Sequence, residues 1–150
     1  MKNARAAVAT ALVNLLTGAT FAPAVNGATT WKTVSQKIKL FSDVPPQARP
    51  ALFVAKHHET TVYQSENLPP KMTMNFNLFI YTNGKANTTP AQDLDTIMDA
   101  LDAVLAPNAT GRQTLGGTVS HCYIDGQTLF DPGDIDGDGL IWVPIKILGP

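Results

Sequence analysis

The hexapeptide DIDGDG, which begins at Asp134, carries three carboxylates at alternate positions, the pattern by which calcium loops supply oxygen ligands. Asp134, Asp136 and Asp138 would occupy the first, third and fifth places of such a loop. The twelfth place, which requires a bidentate glutamate, is Ile145. The residues after the loop are β-branched and include a proline, so they predict a strand where a calcium loop needs a helix. We favour a hairpin connection, for which Asp-Gly is a strong signal, and predict that it orders without calcium.

The three histidines and the single cysteine are the other side chains suited to metal binding or nucleophilic catalysis. His57 and His58 are adjacent, so in a strand they would point to opposite faces and could not easily share a metal ion. His121 stands beside Cys122 with the same difficulty. Cys122 has no local catalytic signature, and its place in an apolar strand predicts a packed, inert thiol. We predict no metal site, no cofactor and no catalytic residue, so the chain is not expected to be an enzyme.

The composition is that of one folded domain spanning residues 1–150, long enough to bury a core. A hydrophobic content of 44% argues against disorder. A net charge of -1 with 15% charged residues argues against a protein that binds nucleic acid through a basic surface. One cysteine allows no intrachain disulfide, and no apolar run reaches the roughly 18 residues of a membrane span.

The N-terminal segment has two interpretations. A basic start, an apolar stretch and an Ala-Pro-Ala sequence ending at Ala24 outline a secretory signal. Against this, four apolar residues share one face of an amphipathic helix, and Gly18 follows where a helix-ending glycine is expected: Val8, Leu12, Leu15 and Leu16. We favour an intact helix over residues 1–18 that docks on the fold, followed by a connector at 19–30.

The remaining residues, 31–150, predict an α+β core. Five segments alternate in polarity or are β-branched and predict strands: 31–41, 50–64, 71–82, 116–126 and 139–148. In the first, Val34, Ile38 and Leu40 are the apolar positions. The third is the clearest, with apolar residues on one face and mostly polar residues on the other: Met72, Met74, Phe76, Leu78 and Ile80 form the apolar face.

A second helix is predicted between the third and fourth strands. Thr89 caps it, Pro90 takes the first helical position, and Gln92 completes a capping box. Six apolar residues then mark one face before Pro107 ends the helix: Leu94, Ile97, Met98, Leu101, Val104 and Leu105. The predicted fold is a mostly antiparallel sheet of about five strands with two helices packed on one face, in the order α-β-β-β-α-β-β.

This layout resembles the tail terminator (minor tail) proteins of long-tailed phages, the group that includes the terminator of phage lambda. The resemblance rests on the N-terminal amphipathic helix and on short phrases along most of the chain. They are RPALFVAKHHE from Arg49, LFIYTNG, TPAQDLDTIMDALDAVL, QTLGGTV and VPIKIL. The proline-containing connector departs from the family layout and leaves the position of the first helix open.

The resemblance implies a small α+β virion protein without enzymatic activity. Such a protein is made in the host cytoplasm and forms a six-fold ring at the head-proximal end of the tail tube. The ring ends tube polymerisation and offers the surface for head joining, so the implied partners are further copies of the chain, the tube protein and a head-completion or connector protein. DNA passes through the ring without sequence-specific binding, and no membrane is involved.

Two other function classes stay open from the residues alone. One is a secreted α+β binding domain with a calcium-stabilised aspartate loop, which requires both the signal peptide and the metal. The other is a hydrolase that uses Cys122 as its nucleophile.

Charge is divided along the chain, with a net +5 in residues 1–60 and a net -6 in residues 61–150. On the second helix three aspartates fall on one face, forming what we call the acidic stripe: Asp95, Asp99 and Asp102. Either this stripe is a solvated face, or it meets a basic surface of the next subunit. The basic residues predicted for that contact are Lys32, Lys37 and Lys39. A head-to-tail contact of this kind closes into a ring when the rotation permits.

Overall fold

The computed structural model describes residues 4–84, 90–132 and 138–149. The helices and strands in these ranges are α1 (Arg5–Thr17), β1 (Thr33–Ser35), β2 (Ala51–Val62), β3 (Lys71–Tyr81), α2 (Pro90–Val104), β4 (His121–Ile124), β5 (Leu129–Asp131) and β6 (Leu140–Leu148). Two single-turn 3-10 helices, Phe41–Asp43 and Pro46–Ala48, lie between β1 and β2. None of the helices in the described ranges is long and apolar enough to cross a bilayer.

The strands form one sheet in the order β1-β2-β3-β6-β4, with β5 beside β4 on the same edge of β6. Every pairing is antiparallel except that of β1 with β2. The predicted α+β class is therefore confirmed, as is the mostly antiparallel sheet, which contains six strands in the described residues rather than five.

Both helices pack on the same face of the sheet, as predicted. The alternating residues of β3 that were predicted to be buried are 0–3% exposed: Met74, Phe76, Leu78 and Ile80. They join one core with three side chains from each helix, all at most 1% exposed: Val8, Leu12, Leu16, Leu94, Ile97 and Leu101. The predicted cap of α2, Thr89, lies outside the described residues.

The connector after α1 is part of this core. Gly18 follows the helix as predicted, and its N–H donates to Leu15 at 3.1 Å, but its φ of -78° is not the left-handed conformation. Phe21 and Trp31 then pack edge to face with ring centroids 4.9 Å apart, and the indole N–H of Trp31 donates to the Leu16 carbonyl at 2.9 Å. That bond satisfies a carbonyl at the end of α1, so the connector fixes the helix against the fold.

The first predicted strand is much shorter than the alternation suggested. Only Thr33–Ser35 pairs with β2, and Ile38 and Leu40 are 47% and 70% exposed instead of buried. The Ser35 hydroxyl oxygen accepts from the backbone N–H of Lys37 at 3.0 Å. Such a local side-chain bond offers the backbone an alternative to a strand ladder, so the chain turns away from the sheet after three residues.

Strand β5 was not predicted, and its position explains the proline in β6. Strands β4 and β5 pair with the two ends of β6 and leave a gap between them opposite Pro144. The Pro144 carbonyl faces this gap and accepts the backbone N–H of Asp125 at 3.1 Å. The missing N–H of Pro144 faces the same gap, so no ladder bond is lost. The turn from β4 passes close to this ring at Gly126, whose φ of +117° suits glycine and where an added Cβ would lie 3.3 Å from Pro144 Cγ.

A smaller cluster covers one end of the opposite sheet face. Four buried residues form it, with the 3-10 segment packed above: Val44, Ala51, Phe53 and Tyr81. Phe41 packs edge to face on Tyr81 at 5.2 Å, and the Tyr81 hydroxyl donates to the Lys39 carbonyl at 2.8 Å. The polar face predicted for β3 is therefore partly covered.

Replacing Leu101 with alanine tests the helix packing. Leu101 is 0% exposed, so truncation should lower the free energy of unfolding by about 2–5 kcal/mol, as for other buried leucines. Chemical denaturation of the variant and the parent measures this difference. The matched control is Ala103→Gln at an exposed position of the same helix, where we expect a change within about 0.5 kcal/mol. Equal effects at the two positions would contradict the assigned face.

Candidate functional site

Arg49 is a buried cation that ties three segments together. Its side chain is 4% exposed, and the residue lies two positions before the start of β2. The guanidinium donates to the carbonyls of Phe41 at 2.7 Å and Val44 at 2.9 Å, and it lies 4.0 Å above the centre of the Phe41 ring. It also reaches Thr82 after β3 and Asp138 before β6, at 3.4 Å in each case. One side chain thus joins the 3-10 segment to the ends of two neighbouring strands.

Asp138 is the only aspartate of the hexapeptide within the described residues; Asp134 and Asp136 lie outside them. One of its carboxylate oxygens accepts the backbone N–H of Gly84 at 3.0 Å, and the other pairs with Arg49. A calcium ion at the fifth loop position would compete with both partners for this carboxylate.

The strands on either side of the hexapeptide show what this segment connects. Asp131 of β5 pairs with Leu140 of β6 in antiparallel register, so the predicted hairpin connection is confirmed. Gly139 differs from the expected turn glycine: an added Cβ would lie 2.5 Å from Thr82 Oγ1 and 2.9 Å from Leu94 Cδ2. Glycine is needed here because β6 begins against Thr82 and the start of α2, not because of a positive φ.

The two adjacent histidines do not point to opposite faces, and that prediction was wrong. Strand β2 has a bulge at His57. Lys56 and His58 pair with consecutive residues of β3, Phe76 and Asn75, so His57 between them has no partner on β3. The rings of His57 and His58 meet edge to face with centroids 4.6 Å apart, and their Nδ1 atoms lie within hydrogen-bonding distance. The extra residue breaks the two-residue alternation on which the prediction rested.

Next to this bulge, Glu59 binds two cations. Arg5 Nε lies 2.7 Å and 3.0 Å from its carboxylate oxygens, and Lys56 pairs with the same group. These hydrogen bonds, with that of Arg5 the stronger influence, hold the pKa of Glu59 below its usual value. The pair with Arg5 links the start of α1 to β2. Within residues 4–84, 90–132 and 138–149, no three or more histidine, cysteine or acidic side chains are grouped to hold a metal ion.

Cys122 is a packed core residue. It is 0% exposed, and burial raises the pKa of its thiol to about 12, so the nucleophilic thiolate is strongly disfavoured. Its neighbour His121 accepts the Gln113 backbone N–H at Nδ1, at 3.1 Å, and stacks on Tyr123. The buried environment predicted for Cys122 is confirmed.

The six residues predicted for a subunit interface lie in two separate surface groups. Asp95, Asp99 and Asp102 are all exposed on α2, and no residue that the structure describes forms an ion pair with them. The basic residues are exposed near β1, where only one binds through its ammonium group: Lys32 donates to the Asn26 carbonyl at 3.0 Å. Lys37 and Lys39 follow the turn at Ser35 instead of continuing a strand. The structure does not bring the two groups together within one chain.

A cleft that the sequence analysis missed lies between the tip of the β2–β3 hairpin and the end of the sheet. Its volume is about 610 Å³, and its ionisable lining residues are Lys71, Arg112 and His121. They come from β3, the loop after α2 and β4, and Leu148 and Gly149 complete the wall. No spacing in the sequence signals a site whose members come from separate elements and meet only after the sheet has formed.

No protein-family model matches the chain, and a search of curated proteins also finds no match.

Substitution of Arg49 by methionine tests its structural role. Methionine keeps the apolar stem but leaves the Phe41 and Val44 carbonyls without their donor and Asp138 without its cation. Removing one partner of a buried, hydrogen-bonded charge should lower the free energy of unfolding by about 3–5 kcal/mol, measured by denaturant titration. The control is Lys146→Met, which breaks the exposed 3.2 Å pair with Asp125 and should cost less than about 1 kcal/mol. A small effect at Arg49 would show that water replaces its bonds.

The raised pKa of Cys122 predicts slow alkylation and a stability that falls at high pH. At pH 8, iodoacetamide should modify the native thiol at least about 100-fold more slowly than the denatured thiol. The reason is that the native thiol is both protonated and shielded from the reagent. The unfolded thiol ionises near its ordinary pKa of 9, while the folded thiol stays protonated to about 12. This group therefore lowers stability as pH rises between these values. The Cys122→Ala variant is the control for the pH profile, and rapid labelling of the native protein would contradict the prediction.

Proposed function

We propose that this chain is a virion structural protein that forms a ring at the head-proximal end of a phage tail tube, ends tube polymerisation and provides the surface for head joining. The observation that carries the proposal is the acidic stripe. Asp95, Asp99 and Asp102 are exposed along one line of α2 and unpaired with any described residue. Like charges at this spacing repel within a helix. A partner that brings positive charge would relieve that repulsion.

The basic residues near β1 supply a matching surface. Lys37 and Lys39 are exposed and lie in a different part of the surface from the stripe, with no ion pair joining the two groups in one chain. A contact between the stripe of one subunit and these lysines of the next is head-to-tail, and contacts of this type generate a closed ring when the rotation between subunits closes. Complementary charge sets the partner and register of such a contact more than its raw affinity. The proposed ring has six subunits.

The exposed apolar side chains around these lysines support the same contact. Ile38 and Leu40 flank Lys39 and are 47% and 70% exposed. In the proposed contact, the large apolar side chains would bury surface while the lysines between them pair with carboxylates of the neighbouring subunit. This mixture is more typical of a subunit interface than of a solvated loop. These side chains would become buried when the neighbouring subunit binds.

The short phrases that resemble the tail terminators coincide with elements that hold the fold. The phrase beginning at Arg49 includes the buried arginine and all of β2 as far as Glu59, and the longest phrase contains α2 with the acidic stripe. The proposed partners are the tail tube protein on one side of the ring and a head-completion or connector protein on the other. DNA would pass through the lumen without sequence-specific contacts, and the mature location would be the virion.

A charge-reversal experiment tests the proposal. One variant carries Asp95→Lys, Asp99→Lys and Asp102→Lys, a second carries Lys37→Asp and Lys39→Asp, and a third combines both sets. Each is supplied to tails assembled without the protein, and tail length and phage titre are measured. We expect each separate set to reduce capping at least about tenfold and the combination to restore much of it, because the reversed charges again attract. Capping by the parent should also weaken as salt is added.

The matched control reverses three exposed acidic residues elsewhere: Asp43→Lys, Glu66→Lys and Asp125→Lys. It makes the same change in net charge but leaves the stripe intact, so capping should remain at the parental level. If a folded stripe variant caps tails as well as the parent, the stripe is a solvated face and the proposed contact is wrong. If the parent itself does not shorten tails that lack the protein, the proposed function fails.

A further inference from the structure

The cleft between the β2–β3 hairpin tip and the sheet end is lined by cationic or hydrogen-donating groups and by apolar side chains. We propose that it binds a carboxylate carried on a short peptide segment of a partner protein. This inference goes beyond the proposed ring and does not rest on it, because the cleft residues are separate from the acidic stripe and from the lysines near β1.

The charges in the cleft all have one sign. Of the residues that line it, Lys71 and Arg112 are cations, and no lining residue is acidic. Neither side chain forms an ion pair with any residue in the described ranges. Lys37 and Lys39 are also without an ion pair in these ranges. Lys71 and Arg112 differ from them in lining the same cleft, so their charges act on one ligand.

His121 adds a third donor with a fixed orientation. Its Nδ1 accepts the backbone N–H of Gln113 at 3.1 Å, so the neutral ring carries its hydrogen on Nε2. The ring also stacks on Tyr123 with centroids 4.8 Å apart, which limits its rotation. The ionisable side chains of the cleft therefore offer N–H groups, and a carboxylate, which only accepts hydrogen bonds, satisfies them.

The rest of the wall combines apolar side chains with the polar side chains of Gln64, Thr73 and Ser120. Pro69, Pro70, Met72 and Leu148 line it, so the ligand should carry an apolar group next to its carboxylate. The Gln64 amide donates to the Pro69 carbonyl at 2.9 Å, and the Gly149 N–H donates to Met72 at 2.9 Å. The first bond closes the hairpin tip on itself, and the second holds the residue after β6 beside β3. Each wall is therefore ordered locally, which limits the ordering entropy lost on binding. A cleft of about 610 Å³ is within the usual size range for ligand pockets.

A peptide fits this cleft better than a nucleic acid does. Sites for single-stranded nucleic acids combine a basic groove with aromatic side chains on which bases stack, and no aromatic side chain other than the imidazole of His121 lines the cleft. Residues 61–150 also carry a net charge of -6, which opposes the approach of a polyanion. A single carboxylate on an apolar peptide is attracted locally without that long-range penalty.

The test is an NMR titration of the full chain with short peptides. The probes are N-acetyl-Ala-Leu-Asp amide, N-acetyl-Ala-Leu with a free carboxyl end, and N-acetyl-Ala-Leu-Asn amide as the uncharged match. We expect the two carboxylates to shift the backbone amides of residues 112–113, 120–121 and 148–149, and the asparagine peptide to shift them far less. Whichever carboxylate binds more tightly identifies a side-chain or a C-terminal carboxylate as the preferred source.

Two variants and a control locate the binding. Lys71→Gln and Arg112→Gln replace exposed side chains and should each weaken the Kd for the better peptide about fivefold, as for exposed ion pairs. A double variant carries both substitutions and should bind more weakly than either. Lys37→Gln removes an exposed lysine far along the chain and should leave the Kd unchanged. The inference is overturned if the asparagine peptide binds equally well or if the double variant retains parental affinity. It is also overturned if oligothymidylate shifts the same amides at lower concentration than either carboxylate peptide.

Discussion

The two-residue period of β3 is the constraint on which the rest of the structure depends. This strand pairs with β2 on one side and with β6 on the other along most of its length. Its apolar residues must all face one way, so the register of both neighbours is set by which of their residues can share that face. Ile80, for example, stands between Leu52 and Ile141, and Leu78 stands between Val54 and Val143. Both helices then cover the face that carries this apolar surface.

How far the sequence predicts this fold depends on how regular each segment is. The third strand and the second helix repeat their apolar residues without interruption, so their faces could be predicted and are as expected. The end of the first strand could not be predicted, because the Lys37 N–H donates to the Ser35 hydroxyl and turns the chain away while the apolar and polar residues still alternate in the sequence. The bulge at His57 adds one residue to a strand, and no residue type marks it. The three residues of β5 are too few for any period to be seen.

Sites assembled from distant segments cannot be predicted from the spacing of residues in the sequence. Nothing in the sequence around Arg49 indicates its role, yet its guanidinium binds three carbonyls, a carboxylate and an aromatic ring that come from three parts of the chain. A buried cation of this kind is expensive unless almost all its hydrogen-bonding positions are used. The exposed faces were easier to predict than the cleft, because three aspartates on one helix share a face by spacing alone. The surface that these aspartates contact cannot be predicted from the spacing of residues within one chain.

The bulge in β2 has a consequence for how copies of this chain can associate. Beyond Phe53, β1 no longer covers the outer edge of β2, so the remaining backbone groups on that side form an edge strand. Flat edge strands recruit further strands and lead to aggregation, and bulges with charged side chains are a known protection against this. Here the extra residue at His57 distorts the edge, and Lys56 and Glu59 place opposite charges beside it. A chain protected in this way should resist open-ended fibre growth through β2, leaving its side-chain surfaces to determine which copies meet.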